Sequence, residues 1–200
     1  MADLGEVRDD AADCTRCPLY ANATQTVFGE GGKGGMMLVG EQPGDQEDRA
    51  GRPFVGPAGK LLRDVLAEAG IDEQSVYVTN AVKHFKWKPR GKRRIHDKPN
   101  WSEVQACGHW LRLELAGVRP ELVVCLGATA AQSLFGRSAR VGALRGEPRE
   151  LPGGERALVT IHPSAVLRSD DRDAMRAGLL ADLQLARQLV ADQSSKSAKS

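Results

Sequence analysis

Four short apolar runs, separated by longer segments with helical periodicity, constrain the fold of this chain most strongly. The runs are "MMLVGE" at 36–41, "VYVTNAV" at 76–82, "ELVVCLG" at 121–127 and "RALVTIHP" at 156–163. Nearly continuous, valine-rich hydrophobicity is what strands require when both of their faces are buried. The runs therefore predict a central parallel sheet of four strands.

Helical patterns lie between and after these runs. The segment 58–70 repeats leucine and valine at helical spacing, a second helix is predicted to start at Ser102, a good N-cap, and a third covers about 174–191 with one apolar stripe. Alternation of strands and helices predicts a three-layer α/β/α sandwich with its ligand site at the carboxyl ends of the strands.

The length of the chain and its polar termini limit how it can be divided into domains. With 200 residues, 41% of them hydrophobic, the chain can bury one core of ordinary size. We expect a single domain over 1–192 and a disordered polar tail over 193–200. No apolar stretch approaches the roughly 20 residues that span a bilayer, and the N-terminus lacks the apolar region of a signal peptide, so a cytoplasmic protein is expected.

Positive charge is concentrated in one segment although the chain as a whole is almost neutral. The formal net charge is +2, yet residues 83–98 carry many cations opposed only by Asp97, with Phe85 and Trp87 interleaved. Cations of this density suit phosphates, and the aromatic side chains suit bases. A solvated charged loop remains the alternative.

Polar side chains follow three of the predicted strands. Glu41 ends the first run, Asn80 lies near the end of the second, and His162 lies near the end of the last. Each alone could cap a turn or bond to local backbone. Because the carboxyl ends of parallel strands meet at one edge of a sheet, their convergence favours a functional site.

The four cysteines form a second candidate site. Cys14 and Cys17 make a C-x-x-C pair, Cys107 falls in a predicted helix, and Cys125 falls in the third strand. A cytosolic setting disfavours disulfides, and this spacing fits a four-thiolate metal site assembled by folding. A zinc site of four cysteines is one alternative; another is that Cys107 and Cys125 are simply small buried apolar residues.

The motifs together resemble a known family. "GEQPGDQEDRAGRPFVGPAGKLL", "VTNAVK", "HPS" and the cysteine spacing are similar to the iron-sulfur uracil-DNA glycosylases of family 4, from Cys14 to the final helix. The resemblance implies a uracil-DNA glycosylase fold and a DNA repair hydrolase that cleaves the N-glycosidic bond. It also implies a [4Fe-4S] cluster on Cys14, Cys17, Cys107 and Cys125. The implied partner is uracil-containing DNA, single-stranded, with double-stranded DNA left open, and the implied form is a monomer without membrane association.

Two features depart from ordinary members of that family. Gln42 stands where the family usually has alanine in "GEAPG", and "KRRIH" at 92–96 looks like the inserted loop of the UdgX class. In that class the loop histidine attacks the sugar and leaves the enzyme covalently joined to DNA. The resemblance therefore makes His96 the nucleophile of a single-turnover enzyme, linked to C1′ of the abasic deoxyribose, with Glu41 orienting its ring and accepting its other proton.

The resemblance also assigns substrate contacts. Phe54 resembles the aromatic platform under uracil, Asn80 the amide that pairs with its edge, and His162 the donor to the charge that develops on O2. Gln42 is expected to join them as a substrate contact. Contacts to DNA are expected from Lys92, Arg93, Arg94, Ser164 and Arg168.

Two other functions remain open from the sequence. A conventional glycosylase would turn over, and its basic loop, including His96, would only contact phosphates. A non-enzymatic single-strand-binding module would have no need of Asn80 and His162 at the strand ends.

Overall fold

The computed structural model describes residues 3–197, and side chains as far as residue 193. The strands are β1 (Glu30–Gly31), β2 (Met36–Gly40), β3 (Val76–Asn80), β4 (Trp87–Arg90), β5 (Arg93–His96), β6 (Leu122–Leu126), β7 (Arg149–Glu150) and β8 (Arg156–Thr160). The helices are α1 (Leu4–Ala12), α2 (Asp45–Ala50), α3 (Pro57–Glu68), α4 (Trp101–Val118), α5 (Ala128–Phe135), α6 (Val141–Leu144), α7 (Pro163–Arg168) and α8 (Arg172–Ser197). Two 3-10 turns cover Pro18–Ala21 and Glu73–Ser75.

The central sheet contains the four predicted strands and two more. Its order is β1-β3-β2-β6-β8-β7, and the four inner strands run parallel, as predicted. The edge strands β1 and β7 pair antiparallel, so the sheet is mixed and six-stranded. Each edge strand has only two residues, which is too short to show a periodicity in the sequence.

Helices cover both faces of this sheet, which confirms the predicted three-layer arrangement. Because successive side chains of a strand point to opposite faces, Leu38 and Leu158 pack with α3, α7 and α8. Their neighbours Val39 and Val159 pack with α4 and α5. Burial on both faces explains why the strands read as continuous apolar runs.

The start of α4 differs from the prediction by one residue, and its cap by two. Asn100, not Ser102, is the N-cap: its side chain accepts the Glu103 N–H, and the Glu103 carboxylate accepts the Asn100 N–H. The sequence offers a second capping pattern from Ser102 to Gln105. The earlier pattern forms, so Trp101 lies in the first turn of the helix, where it packs near Cys107.

The segment predicted to be a basic loop is a β-hairpin. Strands β4 and β5 pair antiparallel, with Arg90 opposite Arg93 and Trp87 opposite His96. Gly91 has φ of 60°, which suits the first position of a two-residue hairpin turn. His96 is therefore held at the base of a paired ribbon.

The final helix runs through part of the segment predicted to be a disordered tail. It continues to Ser197 and so includes residues 193–197, whereas 198–200 lie outside the described residues. Within residues 3–197, none of the helices has the length and apolar character needed to cross a membrane.

Candidate active site

A cavity of about 400 Å³ lies at the carboxyl edge of the central sheet. This volume is within the range of small-molecule sites. Of the predicted site residues, those that line it are Glu41, Gln42, Phe54, Asn80, His96, His162, Ser164 and Arg168. The predicted DNA contacts Lys92, Arg93 and Arg94 do not line it.

Gly40 allows two of these side chains to meet at the bottom of the cavity. It lies beside Asn80 in the register of β2 and β3. A Cβ atom on residue 40 would lie 2.4 Å from Asn80 Oδ1 and 2.7 Å from Phe54 Cζ. Only glycine permits this approach, so the amide and the ring are held as one surface.

Phe54 has a backbone conformation that side chains rarely adopt. Its φ is 54°, and its carbonyl accepts a hydrogen bond of 2.8 Å from Arg63 Nη1. A Cβ at Gly59 would lie 1.7 Å from the same carbonyl oxygen, so α3 can pack here only because residue 59 is glycine. The resulting orientation stacks the ring against His162, with 6.3 Å between centroids and 27° between planes. Strained backbone of this kind is typical of functional sites.

His162 is held as a neutral imidazole with a defined tautomer. The Ser164 N–H, which can only donate, lies 3.1 Å from His162 Nδ1, and the Ser164 hydroxyl lies 2.8 Å from the same nitrogen. Burial lowers the pKa of His162 to about 4, and the positive charge of Arg168 contributes, although Glu41 opposes the shift. The ring proton is therefore on Nε2, which is available as a donor. The Ser164 hydroxyl, predicted to contact phosphate, is engaged with His162.

Glu41 contacts two side chains, one at each carboxylate oxygen. Its Oε1 lies 3.2 Å from His96 Nε2, and its Oε2 accepts a hydrogen bond from the Thr129 hydroxyl. Burial alone would raise the pKa of Glu41, but the hydrogen bonds from His96 and Thr129 outweigh it and hold the pKa below its usual range. Glu41 is thus an ionised acceptor for His96. Thr129, at the start of α5, was not predicted.

Arg94 does not extend toward solvent as a DNA contact would. Its Nε lies 2.5 Å from Asp45 Oδ1 and its Nη1 lies 2.6 Å from Asp48 Oδ2. The guanidinium lies over the rings of Phe85 and Trp87, and only 16% of the side chain is exposed. Arg94 thus fastens the hairpin to α2, and its contact with DNA stays a prediction. Lys92 and Arg93 lie exposed at the hairpin turn.

The amide of Gln42 is engaged by the base of the same hairpin. Its Nε2 donates to the carbonyls of Lys86 and Asp97, both at 3.1 Å, and its Oε1 accepts the Lys86 N–H at 3.0 Å. These residues flank the two strands of the hairpin. The Gln42 side chain thus holds the hairpin and also borders the cavity, so its predicted contact with the substrate stays a prediction.

Three of the predicted metal ligands lie together. Cys17 and Cys107 are hydrogen-bonded, which lowers the pKa of Cys17 to about 4 and raises that of Cys107. Trp110, one turn after Cys107, donates to Cys14 Sγ at 3.1 Å. The Lys83 N–H lies 3.4 Å from Cys107 Sγ.

Cys125 is not part of this group, which corrects the fourth ligand. It lies in β6 between Val39 of β2 and Val159 of β8, inside the apolar layer beneath α4 and α5. Burial raises its pKa to about 12, and the cluster in which it packs consists of apolar side chains and Tyr77. It is a small buried apolar residue, one of the alternatives left open by the sequence.

His84, and not Cys125, lies beside the cysteine group. It is buried beside Cys17, and its Nε2 lies 2.9 Å from the Thr26 hydroxyl. Among the side chains of the described residues, its Nδ1 is the buried polar atom without a hydrogen-bond partner. No three His, Cys, Asp or Glu side chains within the described part of the chain are grouped as ligands of a single ion. A four-iron cluster instead takes one ligand at each iron, and three thiols with one unpartnered imidazole suit that donor set.

A buried ion pair lies behind Asn80. Lys83 and Glu114 have fully buried side chains and are in contact. Lys83 Nζ also donates to the Asn80 carbonyl and to Thr79 Oγ1, both at 2.7 Å. Glu114 accepts further hydrogen bonds from Tyr77, Thr79 and the Gly29 N–H. The network fixes the backbone at the end of β3, from which the Asn80 side chain enters the cavity.

Comparison with known proteins agrees with this geometry. Residues 28–184 match the model of the uracil DNA glycosylase superfamily. The chain belongs to that superfamily. Among its relatives is a type-4 uracil-DNA glycosylase of Thermotoga maritima, 38% identical over 186 residues, or 92% of this chain and 93% of the relative. The type-4 enzyme of Pyrobaculum aerophilum is 37% identical over 191 residues, 92% of each chain. That of Archaeoglobus fulgidus is 36% identical over 175 residues, 84% of each.

The superfamily match covers the whole cavity but only part of the cysteine site. The region 28–184 contains every residue that lines the cavity, together with His84 and Cys107. Cys14 and Cys17 precede it. The cavity is thus part of the shared superfamily fold, whereas the cysteine pair belongs to the N-terminal segment packed against α4.

Proposed function

We propose that the protein is a DNA repair enzyme that excises uracil from DNA and becomes covalently linked, through His96, to C1′ of the abasic deoxyribose. The observation that carries the proposal is the contact between His96 and an ionised Glu41 at the rim of a cavity that also holds Asn80, Phe54 and His162. These side chains lie around one space and are of the types suited to bind, release and replace a base.

Asn80 and Phe54 supply base recognition. Enzymes that act on a base take it out of the duplex stack and then read it by stacking and hydrogen bonding. The Phe54 ring offers the stacking face. The Asn80 amide offers one acceptor and one donor in a plane, which match N3–H and O4 of uracil, whereas cytosine presents the reverse pattern.

His162 stabilises the leaving base. Cleavage of the glycosidic bond leaves negative charge on N1 and O2 of uracil and an oxocarbenium-like sugar. A neutral imidazole that presents Nε2–H is a donor already oriented before charge develops, the arrangement in which such donors are most effective. The pKa of about 4 keeps this ring neutral at physiological pH.

His96 then competes with water for C1′. With Nε2 facing Glu41, the lone pair of Nδ1 is free to form the bond to C1′ while the bond from C1′ to N1 breaks and its electron pair leaves with uracil. The Nε2 proton passes to Glu41. Effective concentrations of well-oriented groups reach about 10⁵ M or more, so a held imidazole can exceed water in rate.

Cys14, Cys17, Cys107 and His84 would hold the [4Fe-4S] cluster. When bound, the cluster would have a structural role, since none of the bond changes above involves an electron transfer. Its ligands join the N-terminal segment, the chain after β3 and helix α4. Asn80 is the last residue of β3, directly before this segment, so a bound cluster would hold the chain next to the cavity.

Contacts to the DNA backbone are expected from Lys92 and Arg93 at the hairpin turn and from Arg168 at the cavity. The first two are exposed cations on the element that carries His96, so phosphate binding would bring the hairpin to the sugar. Uracil-containing single-stranded DNA is the proposed substrate, with double-stranded DNA left open.

A conventional glycosylase that turns over is the alternative, and it fits the comparisons equally well. The side chain of His96 is 51% exposed, so water also has access to this part of the cavity. In that case Glu41 would activate a water molecule, and the hairpin would only bind DNA.

A single incubation distinguishes the covalently trapped enzyme from the conventional glycosylase. The protein is mixed with an excess of labelled uracil-containing oligonucleotide and run on a denaturing gel. The proposal expects a persistent protein-DNA adduct, mapped by peptide analysis to His96, and His96→Ser should lose the adduct yet still release uracil. Free abasic DNA in excess over wild-type enzyme supports the alternative, and sugar attached to another residue contradicts both.

A further inference from the structure

We propose that Thr129 is a positioning residue for the nucleophile, acting through Glu41. Thr129 is buried at the start of α5, and its hydroxyl donates to Glu41 Oε2 while Oε1 of the same carboxylate faces His96 Nε2. The three side chains form a chain from the sheet edge to the hairpin. The inference rests on the proposed function, in which His96 attacks the sugar.

The hydroxyl of Thr129 fixes the rotation of the carboxylate. The last torsion of a glutamate side chain is broad, so a carboxylate with one free oxygen can turn away from its partner. A donor held on a helix removes that freedom. Burial leaves the Thr129 side chain no solvent as an alternative partner for its hydroxyl, so its hydrogen bond to Glu41 is the one available in the described contacts.

The same hydrogen bond favours the ionised form of Glu41. The titratable groups that face this carboxylate are His96, from the hairpin, and His162, from the loop after β8, and both contribute to lowering its pKa. Burial acts in the opposite direction. Removal of the Thr129 donor should therefore raise the pKa of Glu41, and this rise reports the loss of the hydrogen bond that orients the carboxylate.

A pair of substitutions tests the hydroxyl apart from packing. Thr129→Val has nearly the same shape without a donor, and Thr129→Ser restores the donor. In single-turnover reactions at pH 7, Thr129→Val should form adduct about tenfold more slowly, because hydrogen bonds to charged groups are the stronger ones. Thr129→Ser should recover the wild-type rate. Equal rates in Thr129→Val and wild type, or a Thr129→Ser as slow as Thr129→Val, would overturn the inference.

A second measurement keeps the inference separate from the proposed function. The carboxyl carbon of Glu41 can be titrated by NMR in the free protein, without DNA. The pKa of Glu41 should rise in Thr129→Val and return in Thr129→Ser. If wild type forms no adduct but this pKa rises, only the proposed function fails; if the carboxyl titrates identically in all three proteins, the role of Thr129 fails even where the adduct forms.

Discussion

His96 Nε2 lies 3.2 Å from Glu41 Oε1, and this contact determines which nitrogen of the histidine can react. An ionised carboxylate is only an acceptor, so Nε2 carries the proton and Nδ1 carries the lone pair. Glu41 is held ionised by its two hydrogen bonds despite its burial. The histidine is therefore oriented with its free nitrogen directed away from Glu41.

Glu41→Gln should slow adduct formation about 100-fold, which is the lower range for loss of a general base. The amide cannot take the imidazole proton, whereas uracil release should persist because Asn80, Phe54 and His162 are unchanged. Single-turnover assays that score adduct and free uracil separately provide the measurement. In wild type, adduct formation should fall as pH falls and should already be lost at the lowered pKa of Glu41, because protonation of either the carboxylate or the attacking imidazole stops the reaction. An unchanged adduct rate in Glu41→Gln would contradict this role, and Glu150→Gln on the exposed edge strand is the control.

Asn80→Ala should separate base selection from DNA binding. Loss of the amide should abolish uracil release, while affinity for ordinary DNA and its salt dependence remain. Replacing Lys92 and Arg93 together by alanine should weaken binding to every sequence and reduce the salt slope by about two, since each phosphate contact contributes nearly one. Binding isotherms at several salt concentrations measure both effects. Equal loss of both properties in both variants would disprove the division of roles.

Gln42→Ala should shift the products from adduct toward free abasic DNA. The substitution removes three hydrogen bonds to the backbone of Lys86 and Asp97, so the hairpin that carries His96 should become looser. The ratio of adduct to abasic DNA and hydrogen exchange of the hairpin amides are the measurements. Gln46→Ala is a matched control, because Gln46 also lines the cavity but is exposed. If instead Gln42 reads the base, uracil release would fall and hairpin exchange would stay constant.

The central sheet and its functional edge could be predicted because burial on both faces leaves continuous apolar runs, after which Glu41, Asn80 and His162 stand out as polar. Two-residue edge strands leave no such signal. The sequence also could not separate Arg93 from Arg94. Once the segment is known to be a strand, the alternation of its side chains accounts for the difference between the two arginines. Arg93 points outward, and Arg94 points onto α2.

The metal ligands show a different limit of sequence reasoning. The sequence alone does not distinguish a cysteine that binds metal from a cysteine that fills a core. Cys107 and Cys125 differ only in the side chains that surround them in the folded protein. His84 follows a strand end without any metal-binding motif of its own. Its buried unpartnered nitrogen becomes visible only in three dimensions.

His84→Ala should lower the iron content, and His84→Cys should restore it with an altered visible spectrum, because a thiolate replaces an imidazole at one iron. Cys125→Ala should keep about four irons per chain, the content of one [4Fe-4S] cluster. Iron and sulfide analysis of protein purified without air provides the measurement. Loss of iron in Cys125→Ala together with full iron in His84→Ala would return the fourth ligand to Cys125.

The buried pair of Lys83 and Glu114 should affect stability and uracil release separately. Lys83→Met leaves the Glu114 carboxylate buried without its cation, which should reduce the free energy of unfolding by about 3–5 kcal/mol. Adding Glu114→Gln removes the unpaired charge while the amide still accepts from Tyr77 and Thr79, so the double variant should regain most of that stability.

Uracil release should not recover in the double variant, because the Asn80 carbonyl still lacks the donor that Lys83 supplied at 2.7 Å. The loss should appear in the single-turnover rate of uracil release more than in DNA affinity, since Lys83 is fully buried and cannot touch DNA in the folded protein. Denaturant unfolding and single-turnover uracil release, measured on the same preparations, provide the comparison. A double variant that recovers both stability and uracil release would show that the pair only stabilises the fold; recovery of stability alone assigns Lys83 to the positioning of Asn80.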